Sequence, residues 1–139
     1  MKKWLKTDPR YNEFTQVWLW EDFPGRKNFG GSDIGIDLVA KDEMGDYWAI
    51  QCKCYAESAT IDKAAVDSFI ATSGKSFTDA ETFQTTCFSH RLWISTTNKW
   101  GSKAEETIHG QNPAVNRIGL ADLEDSPVNW DELLICCKW

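Results

Sequence analysis

The stretch Gly31-Ser-Asp33-Ile-Gly-Ile-Asp37-Leu-Val-Ala-Lys-Asp-Glu-Met-Gly45-Asp-Tyr-Trp-Ala-Ile-Gln51-Cys-Lys53-Cys54 decides how this chain is read. Two runs rich in β-branched and aromatic residues, Ile36 to Lys41 and Tyr47 to Cys54, flank a short polar turn, the pattern of a β-hairpin. Side chains alternate along a strand, so each run divides into two faces. Ile36, Leu38 and Ala40 fall with Trp48, Ile50, Cys52 and Cys54 on an apolar face assigned to the core. Asp37, Val39 and Lys41 fall with Tyr47, Ala49, Gln51 and Lys53 on the other, where the polar groups gather. Turn length decides whether the two polar sets meet. A two-residue loop would pair Asp37 with Cys52 and separate them. A three-residue loop, Glu43-Met44-Gly45, pairs Asp42 with Asp46 and Asp37 with Gln51, and Gly45 supplies the left-handed residue such a loop wants at its last position.

Outward from the hairpin the chain reads as α/β. Asp8-Pro9 opens a helix, with Phe14, Val17 and Trp18 at helical spacing and Pro24-Gly25 ending it. Residues 25–33 read as a glycine-rich loop. A second helix is expected from about Ile61 to Ser73, and a strand over Leu92 to Thr96, with residues 76–88 ambiguous between them. Ser102-Lys-Ala-Glu105 is a capping-box pattern that starts a third helix. A short strand follows over Arg117 to Ala121, then a helix or extended run over Trp130 to Cys136. The order α-β-β-α-β-α-β implies a mixed central β-sheet flanked by helices.

The 139 residues fit one domain with a single core, and 42% hydrophobic content suffices to pack it. No run approaches the roughly 18 apolar residues of a membrane span, and no signal peptide is evident. Five cysteines in apolar contexts suggest reduced thiols in a cytoplasm. The net charge of -6 disfavours a protein that grips DNA unaided, because duplex DNA is a dense polyanion. It suits a module that a partner delivers to its substrate, or one that gathers carboxylates around a metal.

Asp37, Gln51 and Lys53 on one face suit phosphodiester hydrolysis. A carboxylate binds a hard divalent ion such as Mg²⁺, and an amide oxygen can add a neutral ligand. The ion polarises the phosphate and acidifies water. A lysine ammonium can orient that water or stabilise transition-state charge. The lone histidines His90 and His109 carry no assigned role, and Cys52 and Cys54 are assigned to the core. The chain contains no P-loop, Ser-His-Asp triad or zinc ligand set.

Ile36-Asp37, the hairpin and Gln51-Cys-Lys53 resemble the PD-(D/E)xK nuclease superfamily in its Mrr-type Gln-x-Lys form. The likeness extends to Asp8-Pro-Arg-Tyr-Asn-Glu13-Phe, Val17-Trp-Leu-Trp20, Asp67 to Lys75 and Ile94-Ser-Thr-Thr97 followed by Trp100-Gly. Together these resemble the N-terminal nuclease domain of Type ISP restriction enzymes and related helicase-like proteins. The resemblance implies a restriction-endonuclease-like fold and cleavage of double-stranded DNA with Mg²⁺, for which Mn²⁺ could substitute, in a prokaryotic cytoplasm. It implies catalytic roles for Asp37, Gln51, Lys53 and Glu13, with Asp37, Gln51, Glu13 and Asp33 as candidate metal ligands. It also implies that residues 1–139 are one nuclease domain at the N-terminus of a longer polypeptide carrying a helicase-like translocase, a methyltransferase and a target-recognition region. The rival reading is a catalytically inactive DNA-binding or interaction module of the same fold.

Overall fold

A computed structural model describes residues 14–29, 35–53 and 58–119. Strand β1 (Phe14–Leu19) leads into two 3₁₀ turns, Trp20–Asp22 and Pro24–Phe29. The hairpin β2 (Leu38–Asp42) and β3 (Tyr47–Lys53) follows, then the short β4 (Thr60–Ile61) and helix α1 (Lys63–Ser73). The rest is β5 (Ser76–Thr78), β6 (Thr85–Ser95), β7 (Lys99–Trp100), helix α2 (Ser102–Ile108) and β8 (Val115–Ile118). One six-stranded sheet runs β1-β2-β3-β6-β5, with β8 also pairing with β6; β4 and β7 form a separate pair. β1, β2 and β3 are antiparallel, whereas β3–β6 and β6–β8 are parallel. The two parallel steps contain α1 and α2, as parallel neighbours require a crossover. The architecture is the expected mixed sheet with flanking helices.

The hairpin has the anticipated register. Leu38 pairs with Ile50 and Lys41 with Tyr47. Asp42 N donates to Asp46 O and Gly45 N to Asp42 O, each at 3.0 Å, and Gly45 sits at φ +83°. Asp42 fixes the turn from within. Its Oδ1 accepts from Met44 N and Asp46 N at 2.9 Å, and its Oδ2 accepts from the Trp48 indole at 3.0 Å.

Several expectations need correction. Residues 14–19 form a strand, not a helix. Phe14-Thr-Gln-Val-Trp-Leu19 is rich in β-formers, and pairing with β2 overrides the 3.6-residue spacing of its apolar positions. Residues 24–29 are a 3₁₀ turn rather than a loop, because Gly25 and Phe29 are buried. The strand expected at Leu92 begins at Thr85, and the one expected over 117–121 is Val115–Ile118. Ser102 is the first helical residue of α2 rather than its cap; Gly101 holds the cap position without a side-chain bond. The helix over 61–73 begins at Lys63, capped by Asp62, whose carboxylate accepts from Ala65 N at 2.9 Å. The opening Asp8-Pro9 helix and Trp130 to Cys136 lie outside the described residues.

Both faces of the sheet are buried, which also corrects the one-sided division of the hairpin. Leu38, Ala40, Trp48, Ile50 and Cys52 pack with Val17, Leu92, Ile94 and Ile118. Val39, Tyr47 and Ala49, on the face expected to be polar, belong to a larger core with Phe69, Trp93 and an aromatic group of Trp20, Phe23, Phe29, Phe77 and Phe88. Ile36 joins this second core instead of the first, because it precedes the strand and follows Gly35 at φ +88°. Among the described residues no helix is long and apolar enough to cross a membrane.

Arg91, on β6 beside Ala49, is only 5% exposed, and its Nε and Nη1 have no hydrogen-bond partner among the described residues. Burial holds its guanidinium below the usual arginine range.

Two outcomes follow from these side chains. Asp42→Ala removes the acceptor of three N–H groups and should cost about 2–3 kcal/mol in urea denaturation. Burial alone would raise the Asp42 carboxyl, but the Trp48 indole, the two backbone N–H groups and His90 hold it below its ordinary value. Its contribution is therefore present at neutral pH and lost as the pH falls from the ordinary carboxylate range toward the lowered value, so the two proteins should converge in acid. Arg91→Met replaces a guanidinium, two of whose buried N–H groups are unpartnered among the described residues, by an apolar side chain of similar length and should raise stability by about 1 kcal/mol. A lower denaturation midpoint for Arg91→Met would show that the guanidinium is compensated.

Candidate active site

The backbone delivers three side chains to one place. Asp37 lies just before β2, where its N–H donates to Ile50 O at 3.0 Å and its carbonyl accepts from Trp20 N at 2.9 Å. Its Oδ2 accepts from Cys52 N at 2.9 Å. The carboxylate is thus tied to β3 between the two residues it was expected to meet. Gln51 is 3% exposed and Lys53 is half-buried. The Gln51 amide satisfies its neighbours in one orientation. Its nitrogen donates to Gly35 O at 2.9 Å and to Asp37 Oδ2 at 3.1 Å, while its oxygen accepts from Lys53 Nζ at 3.1 Å. Asp37, Gln51 and Lys53 therefore form one connected polar group at the margin of the larger core.

Gly35 positions this group, and sequence reasoning passed over it. A side chain there would come within 2.5 Å of Ser68 O and 2.8 Å of Phe69 N, so the chain before Asp37 passes directly against the backbone of α1. Its positive φ adds a second reason for glycine. The available signal was the glycine two residues before Asp37 in Asp33-Ile-Gly-Ile-Asp37.

Electrostatics fit a cation. Burial pushes the Asp37 carboxyl above its ordinary value, against the opposing effects of the Cys52 N–H and the Lys53 ammonium. An ionised but poorly solvated carboxylate gains from a divalent ion. Turning the Gln51 amide over would bring its oxygen within 2.9 Å of Gly35 O and 3.1 Å of Asp37 Oδ2, a gathering of oxygens that a cation relieves. Adjacent ligands of an octahedral magnesium ion lie about 3 Å apart. The donor set therefore fits a hard divalent metal.

The other candidates stand differently. Glu13 and Asp33 lie outside the described residues. The helix that was to carry Glu13 toward Asp37 was inferred from Phe14, Val17 and Trp18, which lie on β1, so that route to Glu13 is withdrawn. Ser95 and Thr97 hold the turn after β6. Ser95 Oγ donates to Thr97 O at 2.8 Å and Thr97 Oγ1 to Ala59 O at 2.7 Å. The Cys52 thiol is buried in the opposite core, whereas Cys87 is exposed. Cys54 lies outside the described residues.

A second donor group that could hold a metal ion is Asp42, Asp46 and His90, whose donor atoms lie within 4.8 Å of one another. His90 had been given no role. It stacks on Trp48 at 4.3 Å and approaches Asp46 Oδ2 at 3.8 Å. Both Asp42 oxygens already accept N–H groups, so the set caps the hairpin at the end remote from Lys53.

The Asp37 environment yields a test independent of catalysis. Because folding raises this carboxyl's pKa, its ionisation opposes folding between the ordinary and the raised values and above them. Asp37→Asn should therefore make the metal-free domain more stable at neutral pH, with the gain vanishing below the ordinary carboxylate range. Millimolar Mg²⁺ should raise the Tm of the original protein and not of Asp37→Asn. A destabilised metal-free variant, or equal stabilisation of both by Mg²⁺, would count against a metal at Asp37.

Comparison with known proteins gives this geometry its context. A restriction endonuclease family model of the Mrr catalytic type matches residues 6–137. Among solved structures, the ATP-dependent Type ISP restriction-modification enzyme LlaBIII bound to DNA is similar to this chain at 32% identity, with a TM-score of 0.71. The match covers 94% of this chain and 8% of that one, so this chain spans a small part of that enzyme's length. No curated protein matches. The family match runs across the hairpin and all the described strands, and the chain belongs to the Mrr-type restriction endonuclease family.

Proposed function

We propose that this domain hydrolyses DNA phosphodiester bonds with a divalent metal, Mg²⁺ by preference and Mn²⁺ as a substitute. The observation that carries the reading is the connected group Asp37, Gln51 and Lys53, in which turning the Gln51 amide over would place its oxygen beside the Asp37 carboxylate and the Gly35 carbonyl. Membership of a restriction endonuclease family supports it.

In this reading Asp37 is the anionic metal ligand. Gln51 adds a neutral oxygen once its amide turns toward Asp37, and Glu13 and Asp33 are proposed to complete the charge. A bound divalent ion supplies Lewis acidity, polarising the scissile phosphate and acidifying water. The protein's own groups do the rest. The Cys52 N–H and the hydrogen bonds on either side of Asp37 keep the carboxylate in place, so little reorganisation accompanies reaction. Lys53 presents an ammonium on the same face as Gln51, one step along β3, where it can neutralise charge growing on a phosphate oxygen.

The domain is proposed to be the N-terminal nuclease unit of a longer polypeptide, with a helicase-like translocase, a methyltransferase and a target-recognition region supplying double-stranded DNA. The small share of LlaBIII that it matches supports this arrangement. So does the charge of -6, which leaves little counterion-release affinity for DNA.

Nicking of supercoiled plasmid in Mg²⁺ is the direct test. The 139 residues alone should cut weakly and without sequence preference. Asp37→Ala and Lys53→Ala should each lower the rate on the order of 10²-fold or more while circular dichroism stays native. Original-like nicking by either variant removes that residue from the mechanism. Absence of nicking by the original protein in both Mg²⁺ and Mn²⁺ favours a non-catalytic module.

A further inference from the structure

The two ends of the sheet differ in charge. The β2–β3 and β5–β6 turns share one end, joined by the Lys41–Glu81 ion pair, and Asp42, Glu43, Asp46, Asp79 and Glu81 lie in or beside them. Asp37 and Lys53 stand at the other, the carboxyl end of β3 and β6. Two more lysines lie there. Lys99 opens β7 just after β6 ends, and Lys103 lies in the first turn of α2. Because β6 and β8 are parallel, their connection returns from the carboxyl end of β6, and α2 begins there. α2 also covers the side of the sheet that carries Gln51 and Lys53. Its Ala104 and Ile108 pack in the larger core with Ala49 and Trp93, and Gln51 pairs with Trp93. Thr96 N donates to Lys53 O at 3.2 Å. Three residues further along, the Lys99 Cα lies within about 11 Å of that of Thr96.

Both lysines are exposed, and neither ammonium has an ion partner among the described residues. The other cations nearby are engaged, Lys63 with Asp67 and Arg117 with Glu105. The backbone beneath the two lysines is held. Lys99 pairs with Thr60 across β4–β7, and its N–H donates to Thr97 Oγ1 at 3.2 Å. Gly101 N donates to Ile61 O at 3.0 Å, and Ala104, next to Lys103, is fully buried. An ammonium is a compact charge suited to a phosphate oxygen, and contacts to phosphates seat a duplex without reading its bases. We propose that Lys99 and Lys103 bind backbone phosphates of the DNA duplex next to the scissile one. Phosphates advance about 3.4 Å of helix axis per nucleotide along one strand, so a span of about 11 Å reaches roughly three nucleotides. The proposal rests on the nuclease reading above and extends it to how the duplex is seated. The acidic turns repel DNA at one end of the sheet, and the two free ammonium groups receive it at the other. Such a seat requires no unpaired base and confers no sequence preference.

The anisotropy of a fluorescein-labelled DNA duplex, titrated with the protein in Ca²⁺ to limit cleavage, reads these contacts through their salt dependence. Each phosphate contact contributes about 0.9 to the slope of log K against log salt concentration. Lys99→Gln and Lys103→Gln should each weaken binding several-fold at low salt and reduce the slope by about 0.9, equally for duplexes of unrelated sequence. Lys99→Arg should restore both. Lys75→Gln removes an exposed lysine between α1 and β5, at the acidic end of the sheet, and should change neither. In plasmid nicking, the Lys99 and Lys103 variants should need more DNA to reach half the maximal rate and keep the rate at saturation, whereas Lys53→Ala lowers the rate at saturation. An unchanged slope in Lys99→Gln or Lys103→Gln, or no binding by the original protein at low salt, overturns the proposal. Nicking by the original protein separates the two readings. Nicking with unchanged slopes removes the seat and leaves the nuclease. Reduced slopes without nicking remove the nuclease and leave a surface that binds duplex DNA.

Discussion

The Asp42 carboxylate determines where every residue of the hairpin faces. Two oxygens satisfy three N–H groups, two from the turn backbone and one from the Trp48 indole. That fixes a three-residue loop and therefore the parity of both strands. A one-residue slip would move Gln51 and Lys53 to the opposite face and drive Ile50 and Cys52 out of their core. The active-site candidates are thus positioned from the far end of the strands that carry them. The carboxylate that organises the fold and the carboxylate proposed to bind metal occupy opposite ends of one hairpin, and their environments differ accordingly. Asp42 is saturated with donors and held ionised. Asp37 is desolvated with fewer compensating donors, and its charge is the one that a cation would relieve.

The hairpin was legible in the sequence because its signals agree. Alternation, an odd turn length and Gly45 all require the same register, and the proximity of Asp37, Gln51 and Lys53 follows from it. The helix over 63–73 was legible for a similar reason, with Asp62 as its cap and Phe69 on its buried side. β1 was not legible. Phe14, Val17 and Trp18 satisfy a helical spacing as well as they fit a strand edge, and only the presence of β2 decides between them. The length of β6 was hidden too. Its first residues, Thr85 to Cys87, pair with the three residues of β5, a contact that local sequence does not announce.

The division of the hairpin into apolar and polar faces was half right. Strand alternation identifies which residues share a side, but it does not say what covers that side. Val39, Tyr47 and Ala49 are buried because α1 and an aromatic group from the segment 18–29 close over them. The polar site occupies only the margin of that face. Gly35 belongs to the same missed layer. Its role depends on α1 passing within contact of its backbone, a relation between segments more than thirty positions apart.

The central position of β3 has a consequence for control. It is hydrogen-bonded to β2 on one side and β6 on the other, and its residues from Tyr47 to Cys52 are all buried. Amide groups at the doubly paired centre of such a strand, Trp48 to Ile50, are expected to exchange with solvent only on global opening, and Gln51 follows directly on that segment. A switch that works by melting and re-forming a local segment has little to act on at Gln51. In the proposed nuclease, restraint on cutting would come instead from access: whether DNA is brought to the Asp37 end of the hairpin, and for how long it stays there.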